Sequence, residues 1–178
     1  MTPLEEFQEL TGLFPGAQPL VRNAWHVPNL ETPEPYRKML VHNHHMTVTM
    51  EEYHRKPVAV TVLQQRLVSE NLYLREIVLT RQGTDIPVLY GVVRFHFEYV
   101  TSTVREQILA GQIPLGRVLI THNVLRHIDL KSIIAVEAGP GLSRVLKMPE
   151  GATTFGRLAT IFCNHQPAVD LLEISAPL

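Results

Sequence analysis

The sequence is poor in the features that would assign it to several large classes of protein. It contains one cysteine, Cys163, which excludes both an internal disulfide framework and a cysteine-based zinc site. No run of about 18 apolar residues occurs, and a membrane-spanning helix needs one. The first residues carry neither the basic nor the apolar segment of a secretory signal. We therefore expect a cytoplasmic protein in which Cys163 is a small, packed strand residue.

The chain also lacks an excess of charge of either sign. Its formal net charge is -1, whereas proteins that bind nucleic acids or anionic membranes usually present clustered basic residues. With 178 residues, of which 45% are hydrophobic, the chain is long enough for one domain with a sizeable core. We expect one domain over residues 1–178 and a small molecule as its partner, with no nucleic acid and no membrane.

The common catalytic and phosphate-binding motifs are missing as well. There is no glycine-rich phosphate loop, no Gly-x-Ser-x-Gly and no His-Glu-x-x-His. Three histidines, His42, His44 and His45, lie close together, but no acidic residue stands at helical spacing to complete a metal site. The pattern favours a solvated or pocket-rim cluster over a metal site, and no metal is predicted.

The order of the remaining patterns predicts an α+β fold with a single antiparallel sheet of about six strands. Capping residues, prolines at first helical positions and apolar spacing predict helices at 2–12, 32–44, 50–55, 101–110 and from 114. Apolar, β-branched runs predict strands at 58–68, 72–81, 88–100, 124–136, 155–162 and 168–176. Residues 14–35 and much of 138–152 contain several prolines and glycines and are predicted to be loops. We expect residues 1–35, a helix and a loop, to pack on the body of the domain.

Arg75 is the most informative single residue. It interrupts an apolar strand. A guanidinium keeps its proton, so burying it without a partner destabilises the folded state by several kcal/mol. Such a residue is either exposed at an edge, paired with an internal acid, or an anchor for an anionic ligand, since guanidinium binds carboxylate with two parallel hydrogen bonds. The next residue, Glu76, points to the opposite face and is not its partner.

Glu173 interrupts a second apolar strand near the end of the chain. By alternation it shares a face with Leu171 and Val169, so it either faces inward or is a carboxylate at the rim. A carboxylic acid in apolar surroundings tends towards its neutral form and can donate a proton near neutral pH. We predict that Arg75 and Glu173 share one pocket.

Four stretches in order resemble the chorismate lyase family (chorismate pyruvate-lyase, 4-hydroxybenzoate synthase). They are Leu40–Thr47, Leu72–Leu79, Ile113–Leu119 and the tail from Phe155 to Pro177, which contains Gln166-Pro-Ala-Val-Asp-Leu-Leu-Glu. The resemblance implies one antiparallel sheet with helices on one side and a pocket closed by helical flaps. It also implies elimination of pyruvate from chorismate to give a hydroxybenzoate, without metal or organic cofactor. The 4-hydroxybenzoate product is favoured, and 3-hydroxybenzoate remains open.

The same resemblance assigns roles to four residues. Arg75 would bind the ring carboxylate, and Met46 and Leu115 would line the pocket with backbone groups towards the ligand. Glu173 would meet the far side of the ring, so Glu173 and Arg75 are the predicted catalytic residues. Arg117 and Arg157 match motif positions and are expected to be structural.

A non-catalytic binding module is the alternative. The same fold serves as the effector-binding domain of some bacterial transcription regulators, where a winged-helix DNA-binding segment precedes it. Only about 35 residues precede the second predicted helix here, and a binder needs Arg75 but has no evident need of Glu173. Both observations favour the enzyme, so a chorismate pyruvate-lyase is predicted, with an aromatic-carboxylate binder as the second reading.

Overall fold

The computed structural model describes all 178 residues and contains one seven-stranded antiparallel sheet and six α-helices. The α+β prediction with a single antiparallel sheet is therefore confirmed, with one strand more than expected. None of the helices combines the length and the hydropathy that crossing a bilayer requires. The helices are α1 (Pro3–Thr11), α2 (Tyr36–Leu40), α3 (Met46–His54), α4 (Ser102–Ala110), α5 (Leu115–Thr121) and α6 (Pro140–Leu146). The strands are β1 (Val21–Val27), β2 (Val58–Leu67), β3 (Leu72–Arg81), β4 (Pro87–His96), β5 (Arg126–Ala138), β6 (Thr153–Cys163) and β7 (Gln166–Ser175).

Local sequence signals account for the ends of several elements. Thr2 and Glu5 form a capping box at α1, in which the Glu5 amide donates to Thr2 Oγ1 at 3.2 Å. Thr101 caps α4, and Gly111 ends it in the left-handed conformation with φ 67°. Asn164 and His165 both have positive φ, 52° and 67°, which matches the two-residue turn that favours a tight hairpin between β6 and β7.

The strand order is β1-β5-β6-β7-β4-β3-β2, with every neighbouring pair antiparallel. The predicted meander of three strands, β2 to β4, forms one edge, and the predicted hairpin of β6 and β7 lies at the centre. β7 pairs with β4, and this pairing joins the two halves of the sheet. The two strands that carry Arg75 and Glu173 are thereby separated only by β4.

Helices cover both faces of the sheet, so the expectation of helices on one side only is wrong. Helices α2 to α5 lie on the face that contains Ile77, Leu89 and Ile161. Helices α1 and α6 cover the opposite face, where they contact Tyr90 and Leu172. The sheet is therefore the middle layer, and its central strands are buried on both sides.

Several predicted boundaries differ from the structure. β1 lies inside the segment predicted as a loop, and α6 lies inside the proline- and glycine-containing segment 138–152. The second helix is confined to Tyr36–Leu40, and the third begins at Met46, four residues before the predicted start at residue 50. Cys163 ends β6 and is fully buried, as predicted, and burial raises the pKa of its thiol to about 11.

Candidate functional site

A small cavity lies between the sheet and the first residues of α3 and α5. Its volume is about 40 Å³. Strands β3, β4 and β7 supply most of its sheet side, and α3 and α5 cover it. Its walls are mainly aliphatic, with contributions from Val60, Ile77, Leu89, Val93, Ile161 and Leu171.

Arg75 lines this cavity and is almost completely buried, with 1% of its surface exposed. It forms no ion pair, because no carboxylate lies within 4.0 Å of its guanidinium. Nη1 donates to the Ile108 carbonyl at 3.3 Å, and Nε is buried with no protein acceptor. Burial lowers the pKa of the guanidinium. The cavity therefore contains a cation whose hydrogen-bonding capacity the protein leaves partly unused.

Glu173 lines the same cavity but belongs to a different pair. Its carboxylate accepts a hydrogen bond of 2.7 Å from Nε of Arg157, which faces it on β6. The other guanidinium nitrogens of Arg157 donate to the carbonyls of His42 and His44, at 3.1 and 2.9 Å. All three guanidinium nitrogens of Arg157, which is 1% exposed, therefore donate hydrogen bonds, to Glu173 and to the segment that leads into α3.

The start of α3 forms one side of the cavity. His45 precedes the helix without capping it, so the backbone N–H groups of Met46 and Thr47 have no partner within the helix. The His45 ring accepts a hydrogen bond at Nε2 from Nε of Arg126, at 2.8 Å. Burial, together with the charge of Arg126, lowers the pKa of His45 to about 4. At neutral pH this end of the cavity therefore presents an uncharged imidazole and free amide donors.

α5 approaches α3 closely at Gly116. A Cβ atom at Gly116 would lie 3.0 Å from Thr47 Oγ1 and 3.1 Å from His45 Nδ1. The Pro-Leu-Gly motif therefore has a packing reason, since a larger residue would separate the two helices that cover the cavity. Leu115, one residue earlier, directs its side chain into the cavity wall and is 7% exposed.

All four residues proposed from the sequence for ligand binding, Arg75, Met46, Leu115 and Glu173, line this one cavity. Arg117 lies elsewhere and forms an ion pair with Glu51. Sequence reasoning did not identify Arg157 as the partner of Glu173. Hairpin arithmetic alone would have missed it, because a two-residue turn at Asn164 and His165 places residue 157 opposite residue 172. A register shift between Ile161 and Phe162 moves the pairing by one residue and brings Arg157 opposite Glu173.

The histidine cluster is divided between the cavity and its surroundings. His45 lines the cavity, whereas His42 is turned towards Met39, whose carbonyl lies 2.7 Å from His42 Nε2. Burial, followed by the charge of Arg157, lowers the pKa of His42 to about 4. His44 stacks on His42 with ring centroids 5.5 Å apart. His45 is thus separate from the stacked pair of His42 and His44.

Comparisons with known proteins relate the chain to a structural class only. No family model matches the sequence, and no curated protein matches it either. Among solved structures, the fold is similar to the effector domain of PhnF from Mycobacterium smegmatis, with a TM-score of 0.55, 9% identity and coverage of 75% of this chain and 88% of that one. The ligand-binding domain of a protein assigned to the GntR family of transcriptional regulators from Bordetella bronchiseptica gives a TM-score of 0.51 at 15% identity. That alignment covers 66% of this chain and 85% of the Bordetella chain.

A third structure, assigned as a transcriptional regulator from Streptomyces coelicolor, has a TM-score of 0.50 at 18% identity, over 69% of this chain and 89% of that one. At such identities the likeness shows the fold, which these effector domains share with chorismate lyases. The resemblance found in the sequence is therefore supported for the fold, and no comparison names chorismate lyase itself.

The prediction of a chorismate pyruvate-lyase is wrong. The three solved structures named above are a ligand-binding domain, an effector domain and a protein assigned as a transcriptional regulator, and none is a lyase. The geometry agrees, because Glu173, the predicted proton donor, has its charge balanced by Arg157. The motifs behind the prediction supply residues that line the cavity.

Proposed function

We propose that this protein is a non-catalytic binding module for a small aromatic carboxylate. The observation that carries the proposal is Arg75, a buried guanidinium whose Nε has no protein acceptor and which lines an aliphatic cavity. A buried cation without a partner lowers the stability of the folded state, so stability does not explain the presence of Arg75 at this position. Binding of an anion would supply that reason.

The charges around the cavity favour an anionic ligand. Arg157 and Glu173 neutralise each other, and His45 is uncharged at neutral pH because its pKa is about 4. Arg75 is the remaining charged side chain among the lining residues. A ligand with one carboxylate would balance it and could form the two parallel hydrogen bonds that guanidinium favours.

The shape and lining of the cavity favour a flat, apolar ligand body. Aliphatic side chains from β3, β4 and β7 would contact a ring, and the free backbone N–H groups of Met46 and Thr47 would donate to a second polar group such as a phenolic oxygen. Hydroxybenzoates have this combination, and 4-hydroxybenzoate places its two polar groups at opposite ends of the ring. We therefore rank it ahead of 3-hydroxybenzoate.

Binding would require the cavity to expand. Its volume of about 40 Å³ is well below the roughly 150 Å³ that holds a benzene ring in an engineered protein cavity. Met46 and Leu115 stand at the first positions of α3 and α5, and their flexible side chains can change rotamer. Movement of these two side chains, with a small displacement of the helices that carry them, would supply the missing space.

The solved structures of the same fold suggest a setting for this binding. If the module acts as the ligand-binding domains of those proteins do, its ligand would be an effector that signals to a transcriptional regulator. The protein would then work in the cytoplasm. This setting depends on fold analogy, whereas the choice of ligand depends on the cavity.

The direct test is calorimetry with three matched probes: 4-hydroxybenzoate, 3-hydroxybenzoate and the neutral analogue 4-hydroxybenzamide. We expect saturable binding of at least one hydroxybenzoate and weaker binding of the amide, by about tenfold or more, because a charged hydrogen-bond partner of Arg75 is lost. Arg75→Met should remove the preference for the carboxylate. Equal binding of acid and amide, or no binding of either acid, would contradict the proposal.

Chorismate separates a binder from an enzyme. The protein should form no pyruvate from chorismate beyond the spontaneous rate, whether or not chorismate binds. Pyruvate formation that depends on the wild-type protein and is lost in Arg75→Met would show that the module is catalytic after all.

A further inference from the structure

The opposite face of the sheet carries a second, larger cavity. It lies between α1 with the segment that follows it, α6, and the outward side of strands β2 to β4, and its volume is about 520 Å³. This is within the range of about 300 to 1,000 Å³ that is typical of small-molecule sites. None of its lining residues belongs to the Arg75 cavity.

The base of this second cavity contains a buried carboxylate. Glu76 is 8% exposed and accepts a hydrogen bond from Gln64 Nε2 at 3.0 Å. Burial raises the pKa of Glu76, and hydrogen bonds from Tyr90 and Gln64 oppose the rise. Glu76 forms no ion pair, although a carboxylate at this depth is normally paired with a cation.

The wall contributed by α6 carries a charge of the opposite sign. Arg144 is exposed, lines the cavity and also forms no ion pair. It influences Glu76 only through the electrostatic field, which lowers the pKa of that carboxyl slightly. Between the two charges, Gln8 and Thr11 of α1 and Gln18 of the following segment supply neutral hydrogen-bonding groups. The cavity therefore has an anionic base, a cationic rim and a polar wall.

We propose that this second cavity binds a small zwitterion, such as an amino acid, with its ammonium group at Glu76 and its carboxylate towards Arg144. A cationic nitrogen would complete the hydrogen-bonding of the buried Glu76 carboxylate. The ligand carboxylate would form an ion pair with the unpaired guanidinium at the rim. A ligand of one charge only would meet one favourable and one unfavourable group, so the arrangement selects for both charges.

Titration of the ¹⁵N-labelled protein by nuclear magnetic resonance at neutral pH tests this proposal. The probes are glycine, β-alanine and γ-aminobutyrate, which differ in the separation of their charges, with butylamine and butyrate as controls of single charge. We expect at least one zwitterion to produce saturable shifts at the amides of Gln64, Glu76 and Tyr90. Butylamine should bind more weakly and butyrate should not bind.

Matched variants distinguish a specific site from a polar groove. Glu76→Gln keeps the shape and the neighbouring hydrogen bonds, and should weaken zwitterion binding by about tenfold or more. Arg144→Gln should reduce the affinity for the zwitterion to that for butylamine. Arg75→Met, which alters the other cavity, should leave both the zwitterion affinity and the butylamine affinity unchanged. Absence of saturable shifts with all three zwitterions, or unchanged binding in Glu76→Gln, would overturn the proposal.

Discussion

Arg157 donates from Nε to the Glu173 carboxylate at 2.7 Å, across the pair of positions where β6 and β7 face each other. The Arg157 side chain is buried and that of Glu173 is largely shielded, with 1% and 13% of their surfaces exposed. The pair is thus a structural ion pair beside the cavity. It occupies the Glu173 carboxylate with Arg157, and Arg75 remains as the cation without a carboxylate partner.

Breaking this ion pair on one side should destabilise the protein strongly. Arg157→Met leaves Glu173 as a buried charge without a partner and removes the hydrogen bonds to two carbonyls, so we expect a loss of about 3–5 kcal/mol in the free energy of unfolding. Urea denaturation measures it. The double variant Arg157→Met with Glu173→Leu should recover much of this loss, and a double variant as unstable as the single one would contradict a charge-pair role.

Arg75→Met should have the opposite effect on stability. Removing a buried guanidinium whose Nε lacks an acceptor abolishes a desolvation cost, so the free energy of unfolding should rise by about 1–3 kcal/mol while anion binding is lost. The measurement is again urea denaturation, with Arg22→Met as a control at an exposed arginine. A clear loss of stability would mean that Arg75 is a structural residue.

Enlarging the cavity should improve binding at the expense of stability. Leu115→Ala removes a side chain that is 7% exposed, and we expect a loss of about 2–5 kcal/mol in the free energy of unfolding. The same change supplies space that a ring needs, so the affinity for 4-hydroxybenzoate should increase. Leu125→Ala, at a side chain that is 58% exposed, is the control and should alter neither property. Weaker hydroxybenzoate binding in Leu115→Ala would contradict the need for expansion.

Acid should destabilise the fold through one half-buried and one buried histidine. The pKa values of His42 and His45 are lowered from 6.5 to about 4 in the folded protein, so between these values the unfolded chain binds more protons. Stability is therefore complete above pH 6.5 and is lost as the pH falls towards 4. For His45 the shift corresponds to at most roughly 3–4 kcal/mol, since each pKa unit is worth about 1.4 kcal/mol.

Urea denaturation across this pH range measures the effect. His45→Gln should flatten the profile, whereas His122→Gln, at an exposed histidine, should leave it unchanged. A profile that is equally steep in His45→Gln would assign the acid sensitivity to other groups.

The sequence predicted the central strands well because their signals are local. β3 and β7 are mostly apolar, and the few charged residues within them stand out, as Arg75 and Glu173 do. Alternation along β7 also placed Glu173 on an inward face. Neither signal contains the partner of the charge, and the pairing with Arg157 depends on the register of a hairpin.

The missed elements depend on tertiary contacts. β1 contains Arg22, Asn23 and His26 and is mostly exposed, so it lacks an apolar pattern, and it becomes a strand by pairing with β5 more than 100 residues away. α6 begins at Pro140 after Gly139, which reads as a turn. Its helical state is stabilised by packing of Leu142 and Leu146 against the sheet.

The functional prediction failed for a different reason. The motifs that suggested a lyase contain Arg75, Leu115 and Glu173, and all three residues line the same cavity. Motifs of this kind report the cavity and the fold, and do not report whether a reaction occurs in the cavity.

Arg75 and Glu76, neighbours in β3 that face the two different cavities, have a consequence for folding. Seven consecutive residues of β3, Tyr73–Leu79, are buried, and apolar side chains point to both faces. A slip of one residue would exchange the faces and still bury every apolar side chain, so hydrophobicity alone barely distinguishes the correct alignment. The slip would, however, bring Glu76 towards Glu173 and Arg75 towards Arg144. The two charges therefore disfavour a misaligned sheet that the apolar residues would tolerate.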